Sequence, residues 1–130
     1  MYLPCRYISL SIHPKTSEKH YLCTHVTELY MSIDNLDIIK RLIAEKECGR
    51  VEFKETTGQL ERGMETLCAF LNGEGGTVLF GVTDKGKIIG QDVSDKTKRD
   101  IADAVRRIEP FATVEVSYTE IPDTGKSVIA

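Results

Sequence analysis

The stretch LCAFLNGEGGTVLFGVTDKG, residues 67 to 86, constrains the fold more than any other part of the chain. It passes from a helix-like apolar segment through a glycine-rich joint into a nearly continuous apolar segment, so a helix must give way to a buried strand within a few residues. Gly73, Gly75 and Gly76 form that joint. Glycine lets backbone N–H groups turn toward an anion with no Cβ in the way, which would suit a phosphate cradle. The nucleotide fingerprints, however, need a strand that leads into a helix N-terminus, and here the order is reversed. The joint therefore reads as a tight turn, with a secondary role for the N–H groups of Gly75 and Gly76 against a backbone phosphate. Asn72 and Gly73 are the residues expected to end the helix in a left-handed conformation.

The same pattern reading extends outward from the joint. Upstream, Leu60, Met64, Leu67, Cys68 and Leu71 make one apolar stripe on a helix over Gln59 to Asn72. Before it, Val51 and Phe53 alternate with Glu52 and Lys54 in a short strand. Before that, NLDIIKRLIAEKE carries Leu36, Ile39, Leu42 and Ile43 on one helical face, with Ser32 and Asp34 as N-cap candidates. Downstream, Asp84, Lys85 and Gly86 turn the strand from Thr77 to Val82 back into Lys87 to Gly90 as a hairpin. Ser94 or Asp95 caps a helix with Ile101, Ala104, Val105 and Ile108 inward, and Pro110 stops it. Val114, Val116 and Tyr118 then alternate as a strand, Pro122 to Gly125 make a turn, and Ser127 to Ala130 open another strand. The fold class is α+β: a helix, then β-α-β-β-α-β-β, with a mostly antiparallel sheet and helices covering one face.

About 41% apolar positions in 130 residues suffice for one domain with a real core. Residues 1 to 31 stand apart as a leader or upstream extension without sustained period, and Met31 reads as a plausible start. Residues 32 to 130 are expected to form the domain, cut short at its C-terminal end. The leader holds all three histidines, and His20, Cys23 and His25 with Cys5 or His13 suggest a metal site, but the spacing fits no common zinc pattern. The four cysteines show no close pairing and no signal peptide precedes them, which fits a reduced, cytoplasmic setting. The apolar runs are too short to span a bilayer, so no membrane partner is expected.

Three segments together, ECGRVEFKE, AFLNGEGGTVLFGVTDKGKIIG and a helix ending in IEP, resemble the Schlafen AlbA-like domain over about residues 36 to 130. The resemblance implies a nucleic-acid-binding module, for DNA or RNA, found in bacteria mainly at the N-terminus of transcriptional regulators or ATP-binding proteins, with downstream domains as further partners. In animal Schlafens a related fold cleaves structured RNA. There two glutamates in E-x4-E spacing and an aspartate after the Gly-Val strand hold the metal, and they correspond here to Glu47, Glu52 and Asp84. Three carboxylates can hold Mg²⁺ or Mn²⁺ and so activate water against a phosphate. The bland alternative is a solvated face on which Glu52 pairs with Lys54 or Arg50. Relatives carry Asn followed by Thr or Ser before the Gly-Gly, whereas Gly73 and Glu74 stand here and add a negative charge to the joint.

A net charge of −3 excludes coating of nucleic acid through bulk charge, so any such contact is local. Residues 85 to 107 hold seven basic residues against four aspartates, whereas residues 45 to 74 hold seven glutamates against four basic residues. The expected phosphate contacts are Lys54, Lys85, Lys87, Lys98, Arg99, Arg106 and Arg107. A helix laced with Asp and Arg is equally a solvated ion-pair face. Three functions follow: a nucleic-acid-binding domain that needs no cofactor, a metal-dependent RNA endonuclease using Glu47, Glu52 and Asp84, and an oligomerisation module in which the strand from Val114 to Tyr118 pairs across a homodimer.

Overall fold

The computed structural model describes residues 3–4, 35–45, 49–109 and 113–130. The cap candidates Ser32 and Asp34, the start Met31, the metal candidates Cys5, His13, His20, Cys23 and His25, the carboxylate Glu47 and the helix stop Pro110 lie outside the described residues.

Helix α1 (Leu36–Ala44) is capped by Asn35, whose side-chain oxygen accepts from the Asp37 N–H at 2.8 Å. Strand β2 (Val51–Lys54) leads through a 3₁₀ turn over Thr57–Gln59 into helix α2 (Leu60–Leu71), and the glycine joint returns the chain as strand β3 (Thr77–Phe80). The left-handed residue of the joint is Gly75, at φ +85°, and not Asn72 or Gly73. Asn72 stays in the right-handed helical region, because the N–H groups of both Gly73 and Gly75 reach back to the Phe70 carbonyl and close the turn three residues later.

Beyond β3, the expected hairpin forms with a single bridge, Val82 to Ile88, closed by the Thr83 N–H on the Lys87 carbonyl and the Gly86 N–H on that of Thr83. Helix α3 (Asp95–Arg106) starts at Ser94 in a reciprocal capping box with Thr97. Losing such a cap removes the acceptor of an orphan helix N–H, so Ser94→Ala is expected to cost about 1 kcal/mol in a denaturant titration. Strand β4 (Ile108–Glu109) follows and pairs in parallel with β1 (Leu3–Pro4). The last hairpin joins β5 (Tyr118–Ile121) to β6 (Lys126–Ile129). Here the sequence pattern misleads by several residues: the strand begins at Tyr118 and not at Val114. The four-residue turn Pro122–Gly125 fixes the pairing of Ile121 with Lys126, and the ladder grows back from there.

The main sheet has the order β2-β3-β6-β5, with β2 and β3 parallel and the other two pairings antiparallel. Paired residues share a face. Val51, Phe53, Leu79 and Val128 therefore point one way, where Ile39 and Leu42 of α1 cover them. Val78, Phe80 and Ile129 point the other way, into Met64 and Cys68 of α2 and Ile101 and Ala104 of α3. Helices α2 and α3 thus cover one face as expected, while α1 adds a third layer on the opposite face. Burial on both sides is why Val78, Leu79 and Phe80 read as a continuous apolar run. The approach of α2 is close: an ideal Cβ on Gly63 would stand 2.5 Å from Cζ of Phe80. Cys68 is disulfide-bonded, unlike the free thiols expected from the sequence. Among the described residues no helix is long and apolar enough to cross a membrane.

Candidate nucleic-acid interface

Glu52 and Lys54 alternate with Val51 and Phe53, so both project from edge strand β2 on the side that carries α2 and α3. They are two residues apart and meet: Lys54 Nζ donates to Glu52 Oε1 at 2.5 Å. The Lys54 side chain is only 13% exposed and that of Glu52 37%. Lys54 therefore neutralises its neighbour and is not an outstretched hand for phosphate. Arg50, two residues before Glu52, is held in the same manner by Glu74 of the joint, at 2.8 Å.

Asp84 sits on the hairpin beyond β3 with Lys85 and Lys87, all three exposed. The hairpin leans toward α1: an ideal Cβ on Gly86 would stand 2.9 Å from Ile43 Cγ2 and 3.8 Å from Phe53 Cε2. The Gly86 end of the hairpin thus packs on the α1 side of the sheet, the face opposite to the one from which Glu52 projects. Among the described residues, which do not include Glu47, no group of three His, Cys, Asp or Glu side chains could hold a metal ion. In the joint, the Gly75 N–H donates to the Phe70 carbonyl at 2.9 Å and is not available to an anion.

Helix α3 and its C-cap Arg107 carry four of the seven expected phosphate contacts, Lys98, Arg99, Arg106 and Arg107. Lys96 pairs with Asp100 at 2.6 Å, Arg106 with Asp103 at 3.1 Å and Arg107 with Glu61 at 3.9 Å. Exposed pairs of this kind are worth little and yield readily to a competing phosphate. Lys98 lies over the Tyr118 ring, 5.3 Å from its centroid, in a cation–π contact that joins α3 to β5. Burial pushes the Tyr118 hydroxyl above its ordinary pKa. Arg99 is exposed and forms no ion pair among the described residues. The basic residues therefore form two groups: Lys98, Arg99, Arg106 and Arg107 on α3, and Lys85 with Lys87 on the hairpin near α1.

Residues 47–130 match the family described as Schlafen, AlbA_2. This chain belongs to that family. No curated protein and no solved structure is a significant match. The Schlafen AlbA_2 match begins after α1, yet Ile39 and Leu42 of that helix complete one of the two core clusters.

The motif residues that carry the family pattern have structural work to do in this Schlafen AlbA_2 domain. An ideal Cβ on Gly76 would fall 2.6 Å from both the Arg50 carbonyl and the Phe70 ring, so the Ala-Phe-x-Asn helix end and the glycine pair fit together as one joint. Two features escape the sequence pattern. One is the Arg50–Glu74 pair, whose members stand 24 residues apart with no periodic relation. The other is an apolar cavity of about 250 Å³ between α2, α3 and the segment at Val114 and Val116. Its lining comes from α2, β3, α3, β6 and the segment at Val114 and Val116, so only the assembled fold reveals it.

Proposed function

We propose that this Schlafen AlbA_2 domain binds DNA or RNA through backbone phosphates with weak sequence preference, and that it serves as the N-terminal module of a larger bacterial transcriptional regulator or ATP-binding protein. The observation that carries the reading is membership of a family associated with nucleic-acid binding. The charge on α3 supports it: from Ser94 to Arg107 five basic residues oppose three aspartates, while the chain as a whole is negative. Glu52, held by Lys54, favours binding over metal-dependent cleavage, because a carboxylate already neutralised by an ammonium is a poor ligand for a hard cation.

The test is a salt series with labelled DNA and RNA followed by fluorescence anisotropy. Lys98→Ala combined with Arg99→Ala should weaken binding about equally for unrelated sequences and flatten the salt dependence by roughly one unit of slope per lost contact. Unchanged affinity in a folded variant would place the interface elsewhere. Structured RNA incubated with Mg²⁺ or Mn²⁺ should remain intact, and cleavage lost on Glu52→Gln would overturn the binding-only reading.

A further inference from the structure

The joint between α2 and β3 holds an arginine whose donors outnumber its acceptors. Arg50 Nη2 donates to the Glu74 carboxylate at 2.8 Å and to the Glu74 carbonyl at 3.1 Å. Its Nη1 is buried and meets no acceptor. A guanidinium offers five N–H groups in a planar fork, and leaving a buried one unpaired is costly. The two partners are unequally fixed. The Arg50 side chain is 15% exposed and its backbone is clamped, with its carbonyl accepting from the Thr77 N–H at 2.8 Å. Glu74 is 49% exposed and stands between Gly73 and Gly75. The Glu74 side chain is thus far more open to water than the guanidinium it holds.

One carboxylate oxygen and one carbonyl, both on the same nitrogen, are a poor match to this fork. A phosphodiester carries the same unit charge with two non-bridging oxygens, and arginine binds it bidentately. We propose that Arg50 is a phosphate-binding residue of the nucleic-acid interface and that Glu74 is its internal stand-in anion, displaced when a backbone phosphate arrives. This rests on the nucleic-acid reading above. It also gives the acidic residue of the joint a role: Glu74 holds Arg50 in place and lowers affinity in the same contact.

The test compares wild type, Glu74→Gln, Glu65→Gln and the double variant Arg50→Gln/Glu74→Gln, with a labelled single-stranded oligonucleotide at low salt. Glu74→Gln should tighten binding by about fivefold, the change expected from freeing one charge-assisted hydrogen bond. Glu65, exposed on α2, controls for the loss of any negative charge, and its variant should gain clearly less. The double variant replaces an ion pair by two neutral amides and leaves no buried charge unpaired, so it should fold and lose the gain. In wild-type protein, the Arg50 Nε–H resonance should shift on adding the oligonucleotide. An unshifted resonance, an equal gain in Glu65→Gln, or a gain that persists without Arg50 each overturns the proposal. If wild type binds and Glu74→Gln binds no tighter, this inference alone falls. If neither binds any oligonucleotide, the nucleic-acid reading falls with it.

Discussion

Replacing Leu79 by alanine is expected to lower the stability of the domain by about 3 kcal/mol, seen as a fall of roughly 10 °C or more in the melting temperature. Leu79 is the middle of central strand β3 and has 0% exposure. It faces Ile39 and Leu42 of α1 together with Phe53 and Val128 of the flanking strands. Truncation removes buried methyl groups and leaves a cavity that a sheet on one side and a helix on the other cannot both collapse into. The measurement also tests the third layer. If α1 did not cover that face, Leu79 would be partly solvated, and a change well under 1 kcal/mol would reveal it.

That third layer marks where the sequence stops being legible. The periodicity of Leu36, Ile39, Leu42 and Ile43 says that α1 must be covered. It does not say by which side of the sheet, because an amphipathic stripe carries no address. The cap was missed for a related reason: Ser32 and Asp34 were the candidates, but Asn35, whose side chain can equally accept from a helix N–H and whose backbone is extended at φ −122°, caps α1. The stripes of α2 and α3 and the Ser94 start of α3 were legible, but the end of α3 was not: Ile108, read as an inward residue of that helix, stands in strand β4, and the helix stops at Arg106. The alternation of Val114, Val116 and Tyr118 was read as a strand, but pairing is decided by the partner across the turn, and Val116 is left exposed.

The site divides along the same line. Local contacts followed from spacing: Glu52 with Lys54 on one strand face, and the Asp–Lys and Asp–Arg pairs one helical turn apart on α3. The lean of the hairpin at Gly86 toward Ile43 and Phe53 did not follow, because it depends on how α1 packs on the sheet. Nor did the capture of Arg50 by Glu74, which needs the glycine joint folded against the start of β2.

Gly81→Ala is expected to destabilise the domain on two independent grounds. Gly81 follows β3 at φ +94°, a backbone conformation that side chains rarely adopt, and imposing it on alanine costs roughly 1–3 kcal/mol. The added Cβ would also meet the Gly90 Cα at 2.9 Å and the Gly90 carbonyl carbon at 3.2 Å. Overpacking against backbone adds a cost of roughly 1–3 kcal/mol, because neither strand can rotate a side chain out of the way. Gly90 is itself at φ +65°, and a Cβ there would stand 2.5 Å from Ile121 Cδ1. The two glycines cross at one point, where the N–H groups of Ile89 and Gly90 both donate to the Gly81 carbonyl and the Gly81 N–H donates to that of Lys54. Gly125→Ala supplies the comparison, since its φ is +66° but nothing lies within 4 Å of the added Cβ. Gly125→Ala therefore bears only a conformational cost, and in a denaturant titration a loss at Gly81 that exceeds it reads the contact between Gly81 and Gly90 together with the extra strain of φ +94°. Equal losses would mean that the strands part freely at this crossing. A larger loss at Gly81 assigns the glycines of the run GVTDKGKIIG, residues 81 to 90, first to the close passage of two backbones, and to nucleic acid only through the fold they maintain.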